Sequence, residues 1–309
     1  MKESRRNQII RSLQKGFMSL DIELTRRCNN NCIHCYINKP LGDKKEQEKE
    51  MDTVFIKRII DEAYRLGLVH CLLTGGEPLV RSDFIELYTH IRKKGIGVTV
   101  ATNGVLIDAA IIKTLRTFPP KCVNFSLYGF SRASYARIAG VDDYQKAWEN
   151  LLLLNKNEIT LFVKIPVFRF NMNEIQHNHD WLTRLTGNAP GLIFDLFLRG
   201  YHDDKRKDEQ IRKLRLSNEE RLQAVLLDEK QYRKDKRRFC SQFLCSSNDD
   251  HLFGCGAAKN HGAIDAYGCL QPCMSLRTPL TKYDLKKGSL HDGVNYFFSK
   301  IIKMKARSK

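Results

Sequence analysis

Three cysteines at spacings of four and three, Cys28, Cys32 and Cys35, constrain this chain more than any other feature. They follow a short run, 20–24, in which apolar and acidic residues alternate as in a half-buried strand. Thiolates are the ligands that iron–sulfur clusters and zinc select. Three ligands leave one iron of a four-iron cluster open to a small molecule, whereas a structural zinc site needs a fourth ligand, a place that His34 could take. The triplet alone leaves both kinds of site open.

A second motif, Gly75-Gly76-Glu77-Pro78, stands about forty residues further on, again where an apolar run ends. Glycine lacks a β carbon, so peptide groups can approach a ligand closely at such a segment. By itself the segment predicts only a turn. Taken in this order, the Cys-x3-Cys-x2-Cys and Gly-Gly-Glu-Pro motifs resemble those of the radical S-adenosylmethionine (SAM) enzymes.

The resemblance implies a [4Fe–4S] cluster held by Cys28, Cys32 and Cys35, with SAM on the open iron. It implies reductive cleavage of SAM to a 5′-deoxyadenosyl radical, which abstracts a hydrogen atom from the substrate. The cofactors carry that chemistry, and the protein places them and excludes side reactions. An electron donor such as flavodoxin or ferredoxin is therefore an expected partner.

The same resemblance implies a SAM site, whose expected residues are His34, Gly75, Gly76, Glu77, Pro78, Asn103 and Ser126. His34 would pack on the adenine, and the segment 75–78 would contact the methionine amino group. Asn103 and Ser126, each at the end of a predicted strand, would bond to the carboxylate or ribose of SAM. The alternatives are an ordinary loop residue for His34 and loop capping for Asn103 and Ser126.

Apolar runs alternate with helical patterns through most of the chain. The predicted strands are 20–24, 69–73, 98–101, 122–127, 159–167 and 192–198. Helices are expected at 52–66, 83–94, 144–154 and 174–185. Six β/α units predict an α/β fold, a partial (β/α)6 TIM-like barrel whose ligands collect at the carboxyl ends of the strands.

The C-terminal part is rich in cysteine and glycine. Cys255, Gly268 and Cys273 have the spacing that opens a SPASM domain, and by that resemblance Cys255 and Cys273 would hold an auxiliary iron–sulfur cluster. No further group of cysteines follows Cys273. We therefore expect either the shortened twitch form or the front of a longer SPASM protein. Cys240, Cys245 and Cys269 have no assigned role.

These patterns divide the chain into a tail (1–18), a radical SAM barrel core (19–200), a charged linker and helix (201–238) and a SPASM/twitch-like domain (239–309). Ten cysteines without a secretion signal favour metal ligation in the cytoplasm over disulfides. We expect no membrane association. The net charge of +17 would suit an acidic partner, but the basic residues are spread and no nucleic-acid motif occurs, so nucleic acid is not expected.

The function that these expectations favour is a radical SAM oxidoreductase acting on a peptide or protein by crosslinking, oxidation or epimerisation. Its substrate could require a separate leader-peptide-binding protein. One alternative keeps the radical chemistry and acts on a small molecule in cofactor biosynthesis. The other is a non-enzymatic zinc or nucleic-acid-binding protein, which the Gly-Gly-Glu-Pro motif disfavours.

Overall fold

The computed structural model of the protein describes residues 16–37, 39–194, 205–214, 216–226, 229–240 and 255–304. The strands in these ranges are β1 (Ser19–Thr25), β2 (Arg27–Cys28), β3 (Lys39–Pro40), β4 (His70–Gly75), β5 (Gly97–Thr102), β6 (Cys122–Ser126), β7 (Leu161–Val167), β8 (Gly191–Phe194), β9 (His261–Ile264), β10 (Cys269–Gln271) and β11 (Tyr283–Asp284).

The helices are α1 (Lys44–Gln47), α2 (Thr53–Arg65), α3 (Phe84–Lys93), α4 (Ala109–Thr117), α5 (Arg132–Ala139), α6 (Tyr144–Lys156), α7 (Met172–Thr186), α8 (Lys205–Lys213), α9 (Asn218–Val225), α10 (Glu229–Phe239), α11 (Leu290–Asp292) and α12 (Phe298–Ile302). None of the described helices is long and apolar enough to cross a membrane.

The main sheet has the strand order β11-β10-β9-β1-β4-β5-β6-β7-β8 in the described residues. From β1 to β8 each neighbouring pair is parallel, and helices connect the strands. The predicted α/β fold with six parallel β/α strands is confirmed. The sixth strand is described only to Phe194, so its predicted remainder lies outside the described residues.

Strand β1 shows how the sequence divides the two faces of the sheet. Leu20, Ile22 and Leu24 are buried in the main hydrophobic cluster together with the apolar face of α2. Because side chains alternate along a strand, Asp21 and Glu23 point to the opposite face, which is the barrel interior. Burial of the apolar face thus fixes where the charged side chains of β1 lie.

Local signals in the sequence account for several helix ends. Asp52 caps α2 by accepting the N–H of Phe55 at 2.7 Å, which places the start of the predicted helix 52–66 within one residue. In the charged segment, Ser217 and Glu220 form a capping box at the start of α9.

The C-terminal segment continues the sheet, which the sequence did not predict. Strand β9 pairs in parallel with β1 from Ser19 to Ile22, and β10 and β11 extend this edge. The cysteine-rich hairpin β9–β10 is therefore bonded directly to the first strand of the barrel.

Candidate metal centre and cofactor site

The three predicted ligand cysteines lie in one loop, 28–39, here called the cysteine loop. Cys28 ends β2, which pairs with β3 at the far end of the loop. Asn31 and Ile33 donate their N–H groups to carbonyl oxygens at the end of α5, at 2.8 and 3.0 Å. Cys28 and Cys32 are buried and Cys35 is half-buried. The loop is thus held at its ends and along one side.

The three thiols are near enough to influence one another. Burial raises the pKa of Cys28 to about 12 and also raises that of Cys32, and the neighbouring thiols add to both shifts. In the described part of the chain, no three Cys, His, Asp or Glu side chains converge on a point for a single metal ion. Three thiols on one loop are the kind of donor set that an iron–sulfur cluster with one open iron uses, and they must lose their protons on binding.

The segment 75–78, here called the glycine loop, packs on the backbone that leads into the cysteine loop. Gly76 donates its N–H to the carbonyl oxygen of Thr25 at 2.8 Å, and Glu77 donates to that of Arg27 at 2.9 Å. A β carbon on Gly75 would lie 2.2 Å from the Thr25 oxygen, and one on Gly76 2.3 Å from the Arg27 oxygen. Gly75 also has a φ of 141°, which favours glycine. Contact between the two loops therefore requires both glycines.

The Glu77 carboxylate is fully buried and joins the glycine loop to the end of β5. One oxygen accepts from the Thr102 hydroxyl at 2.8 Å and from the Leu79 N–H at 3.0 Å. The other accepts from the Asn103 N–H at 2.7 Å. Burial raises the pKa of Glu77 to about 7, although these hydrogen bonds act to lower it. Within the described residues its oxygens are thus engaged by the protein.

Asn103 connects the glycine loop to the cysteine loop. Its side-chain Nδ2 donates to the thiol sulfur of Cys28 at 3.8 Å and to Oδ1 of Asn29 at 2.8 Å. Its Oδ1 accepts the N–H of Val105 at 3.0 Å. The backbone N–H of Asn103 donates to the Glu77 carboxylate. The predicted loop capping is present, and the amide also reaches the Cys28 thiol.

His34 lies against aromatic side chains beside the cysteines. Its ring centroid is 6.0 Å from that of Tyr128 and 5.7 Å from that of Phe168. The hydroxyl of Tyr128 donates a hydrogen bond to the thiol of Cys32. Ser126 precedes this tyrosine by two positions, half-buried at the carboxyl end of β6. No sequence motif marks Tyr128 as part of the site.

A buried ion network supports both loops. Glu50 accepts from Arg27 at 3.0 and 3.1 Å and from the Thr25 hydroxyl, and it lies 3.8 Å from Arg81. Arg81 directly follows the short 3-10 turn that Pro78 begins. Its guanidinium donates to the Asp83 carboxylate at 2.7 and 2.5 Å. It also donates to two main-chain carbonyls, at the end of β1 and just before α2. These charged residues are spread over the sequence, and only the fold brings them together.

The predicted auxiliary-cluster cysteines flank the β9–β10 hairpin. Cys255 is exposed and Cys273 is half-buried, as is Cys269 in β10. Gly268 forms the turn with a φ of 90°. The described residues bring no set of three metal ligands together here, and Cys245 lies outside them. The auxiliary cluster stays a prediction.

The C-terminal segment also touches the first strand and the cysteine loop. Arg277 forms a two-pronged ion pair with Glu23, whose side chain is fully buried, and lies 5.3 Å from the ring centroid of Tyr36. The guanidinium of Arg26 lies 4.5 Å over the ring of Tyr267. These contacts hold the β9–β10 turn and the segment after β10 against the first strand and the cysteine loop.

Charged side chains line the barrel interior beneath the two loops. Burial raises the pKa of Asp21 and lowers that of Lys164, which lies on β7. His261 approaches Asp21 at 3.5 Å, and His70 bonds to the hydroxyl of Thr99 at 2.9 Å. The alternation of apolar and polar residues in the strands indicates these positions, but only the fold makes them neighbours.

Comparison with known sequences places this site in a family. A family model described as the Radical SAM superfamily matches residues 22–182, about half of the chain, including both loops. The chain is 29% identical over 227 residues to Fe-coproporphyrin III synthase of Methanosarcina barkeri, covering 73% of this chain and 54% of the relative. It is 29% identical over 172 residues to a mycofactocin maturase of Mycolicibacterium smegmatis, covering 54% of this chain and 43% of that protein. The chain spans about half the length of the curated relatives it matches.

Comparison with solved structures supports the same fold. SuiB of Streptococcus suis, bound to S-adenosylmethionine, superposes with a TM-score of 0.71 at 16% identity, over 98% of this chain and 73% of that one. Enzymes of the radical SAM family use a [4Fe–4S] cluster together with SAM. Both loops fall inside the matched range, and the match extends over half of the sequence. This chain belongs to the radical SAM superfamily.

Proposed function

We propose that this chain is a radical SAM oxidoreductase that abstracts a hydrogen atom from a peptide or protein substrate during its maturation. The modification would be a crosslink, an oxidation or an epimerisation. Bound cofactors would supply reductive cleavage of SAM to a 5′-deoxyadenosyl radical, with one electron from a donor such as flavodoxin or ferredoxin. The protein residues would bind and orient the reactants and exclude water.

The feature that best supports radical chemistry is the hydrogen-bonded contact between the cysteine loop and the glycine loop. Cys28, Cys32 and Cys35 would hold the cluster, and the burial of Cys28 and Cys32 would limit the access of water to it. Gly75, Gly76 and Pro78 would contact SAM through the backbone beside the open position, and Glu77 would hold that backbone in place. His34 and Ser126 would face SAM, whereas the side chain of Asn103 is already bonded to the cysteine loop.

Four features favour a peptide or protein as the substrate. SuiB, whose fold matches 98% of this chain, has also been solved bound to the precursor peptide SuiA. A mycofactocin maturase is among the relatives. The hairpin bearing Cys255 and Cys273 would hold an auxiliary cluster next to the barrel, where it could accept the electron left after hydrogen abstraction. The net positive charge would suit an acidic leader, delivered by a separate leader-binding protein.

A small-molecule substrate in cofactor biosynthesis is the second candidate. The identity to Fe-coproporphyrin III synthase, over 73% of this chain, favours it. A porphyrin would require a broad apolar wall, whereas the barrel interior presents Asp21, Lys164 and His261. We therefore rank the peptide substrate first.

The substrate class can be tested without knowing the substrate. Cells of the source organism are grown in deuterated medium. Their extract is separated into two fractions, one of peptides and proteins and one of dialysable small molecules. Each fraction is added to reconstituted enzyme with unlabelled SAM and reductant. The mass of the 5′-deoxyadenosine formed then reports whether a hydrogen atom came from that fraction. A Cys32→Ala variant provides the background.

Deuterium in 5′-deoxyadenosine from the peptide and protein fraction would support the proposal. Deuterium from the dialysable fraction alone would replace it with the small-molecule alternative. Absence of 5′-deoxyadenosine from the parent protein under all conditions would contradict radical chemistry itself.

A further inference from the structure

Several hydrogen-bond donors contact the cysteine thiols, and one of them, Tyr128, is marked by no motif of the sequence. Nδ2 of Asn103 lies 3.8 Å from the sulfur of Cys28, and the N–H of Asn30 lies 3.4 Å from the same sulfur. The hydroxyl of Tyr128 donates to the sulfur of Cys32. Two of these donors are side chains from the ends of neighbouring strands, β5 and β6.

The orientation of the Asn103 amide follows from its other bonds. Its Oδ1 accepts from the N–H of Val105, so its NH2 group must face Cys28 and Asn29. Of the two hydrogens on Nδ2, one then points to the sulfur of Cys28 and the other to Oδ1 of Asn29. The main-chain bond from Asn103 to Glu77 fixes the residue further. The amide therefore presents a donor, not an acceptor, to the sulfur.

Tyr128 is held with similar constraint. Its ring centroid lies 6.0 Å from that of His34 and 5.8 Å from that of Tyr135, which it meets edge to face. A phenol in an apolar surrounding needs a partner for its O–H, and the sulfur of Cys32 provides one.

We propose that Asn103 and Tyr128 are positioning residues that set the reduction potential of the cluster by donating hydrogen bonds to Cys28 and Cys32. This inference rests on the proposed binding of a cluster by these cysteines. A donated hydrogen bond stabilises negative charge on a ligand sulfur, and the reduced cluster carries one more negative charge than the oxidised one. Hydrogen bonds to sulfur ligands therefore favour the reduced state and raise the potential.

The test is a redox titration of the reconstituted protein without SAM, followed by electron paramagnetic resonance of the reduced cluster. Tyr128→Phe keeps the ring and removes only the hydroxyl. Asn103→Leu keeps the side-chain size and removes the amide donor. Tyr144→Phe is the matched control, because Tyr144 belongs to the same aromatic group and donates its O–H to the carbonyl of Phe130 at 2.9 Å.

We expect Tyr128→Phe and Asn103→Leu each to move the potential to more negative values, the double variant further still, and Tyr144→Phe to leave it unchanged. Iron content should stay at the parent level in all of them. Unchanged potentials in both single variants, or loss of iron from Tyr128→Phe, would overturn the inference. Failure of the parent protein to bind iron would instead contradict the proposed function.

Discussion

Gly76 donates its backbone N–H to the carbonyl oxygen of Thr25 at 2.8 Å, which joins the glycine loop to the stem of the cysteine loop. The two motifs, far apart in the sequence, are therefore one structural unit. The close backbone approach leaves no space for a side chain at position 76. The motif glycines thus serve the fit between the two loops.

Gly76→Ala should disrupt this unit. The new β carbon would meet backbone oxygens of Arg26 and Arg27 at 2.6 and 2.3 Å, so one loop must move. We expect a loss of stability of roughly 1–3 kcal/mol and at least a tenfold fall in SAM cleavage. Urea unfolding and 5′-deoxyadenosine formation measure the two effects. Gly42→Ala is the control, since a β carbon there meets nothing within 4 Å; equal behaviour of the two variants would contradict the packing.

Glu50→Gln should weaken the support beneath both loops. The substitution leaves the buried Arg27 without its counter-charge, and breaking a buried ion pair in this way costs about 3 kcal/mol. Glu86→Gln removes the partner of Lys57 in an exposed pair and should cost less than about 1 kcal/mol. Chemical denaturation measures the loss of free energy of unfolding in each of the two variants. A loss for Glu50→Gln no larger than that for Glu86→Gln would argue against the network.

The buried carboxyl of Glu77 predicts a pH dependence of stability. Its pKa is about 7 in the folded protein and near the usual 4.5 of a glutamate when unfolding exposes it. Between these values the folded state binds the additional proton, so the free energy of unfolding falls as the pH rises from 4.5 to 7, by at most about 3 kcal/mol. Glu77→Gln removes a hydrogen-bond acceptor at every pH. It also removes this pH dependence of the free energy of unfolding. Parallel pH profiles for the two proteins would be inconsistent with a raised pKa.

Cys273→Ala tests the auxiliary cluster separately from the SAM-binding cluster. If Cys273 holds a cluster of its own, the variant should contain less iron and still cleave SAM without substrate turnover. Cys122→Ala, which removes a half-buried thiol from β6, is the control. Iron content equal to that of the parent would remove Cys273 from any cluster.

Local patterns predicted the six barrel strands, four of the helices and both loops, because burial periodicity and short motifs are written in consecutive residues. They did not predict α4 or α5. They did not predict that β9 would pair with β1, since a pairing between positions 19 and 261 depends on the completed fold. Glu50, Arg81 and Tyr128 were missed for the same reason. Cys71 is fully buried, whereas Cys122 is half-buried and its thiol donates to Oδ1 of Asn124 at 3.4 Å.

The most direct measurement is the iron and sulfide content of anaerobically reconstituted protein, made beside an assay for 5′-deoxyadenosine. A variant with Cys28, Cys32 and Cys35 all changed to alanine is compared with the parent and with Cys71→Ala. Binding of a [4Fe–4S] cluster by the cysteine loop predicts that the triple variant loses about four irons per chain and all SAM cleavage, while Cys71→Ala keeps both. Parent-level iron or 5′-deoxyadenosine in the triple variant would contradict it.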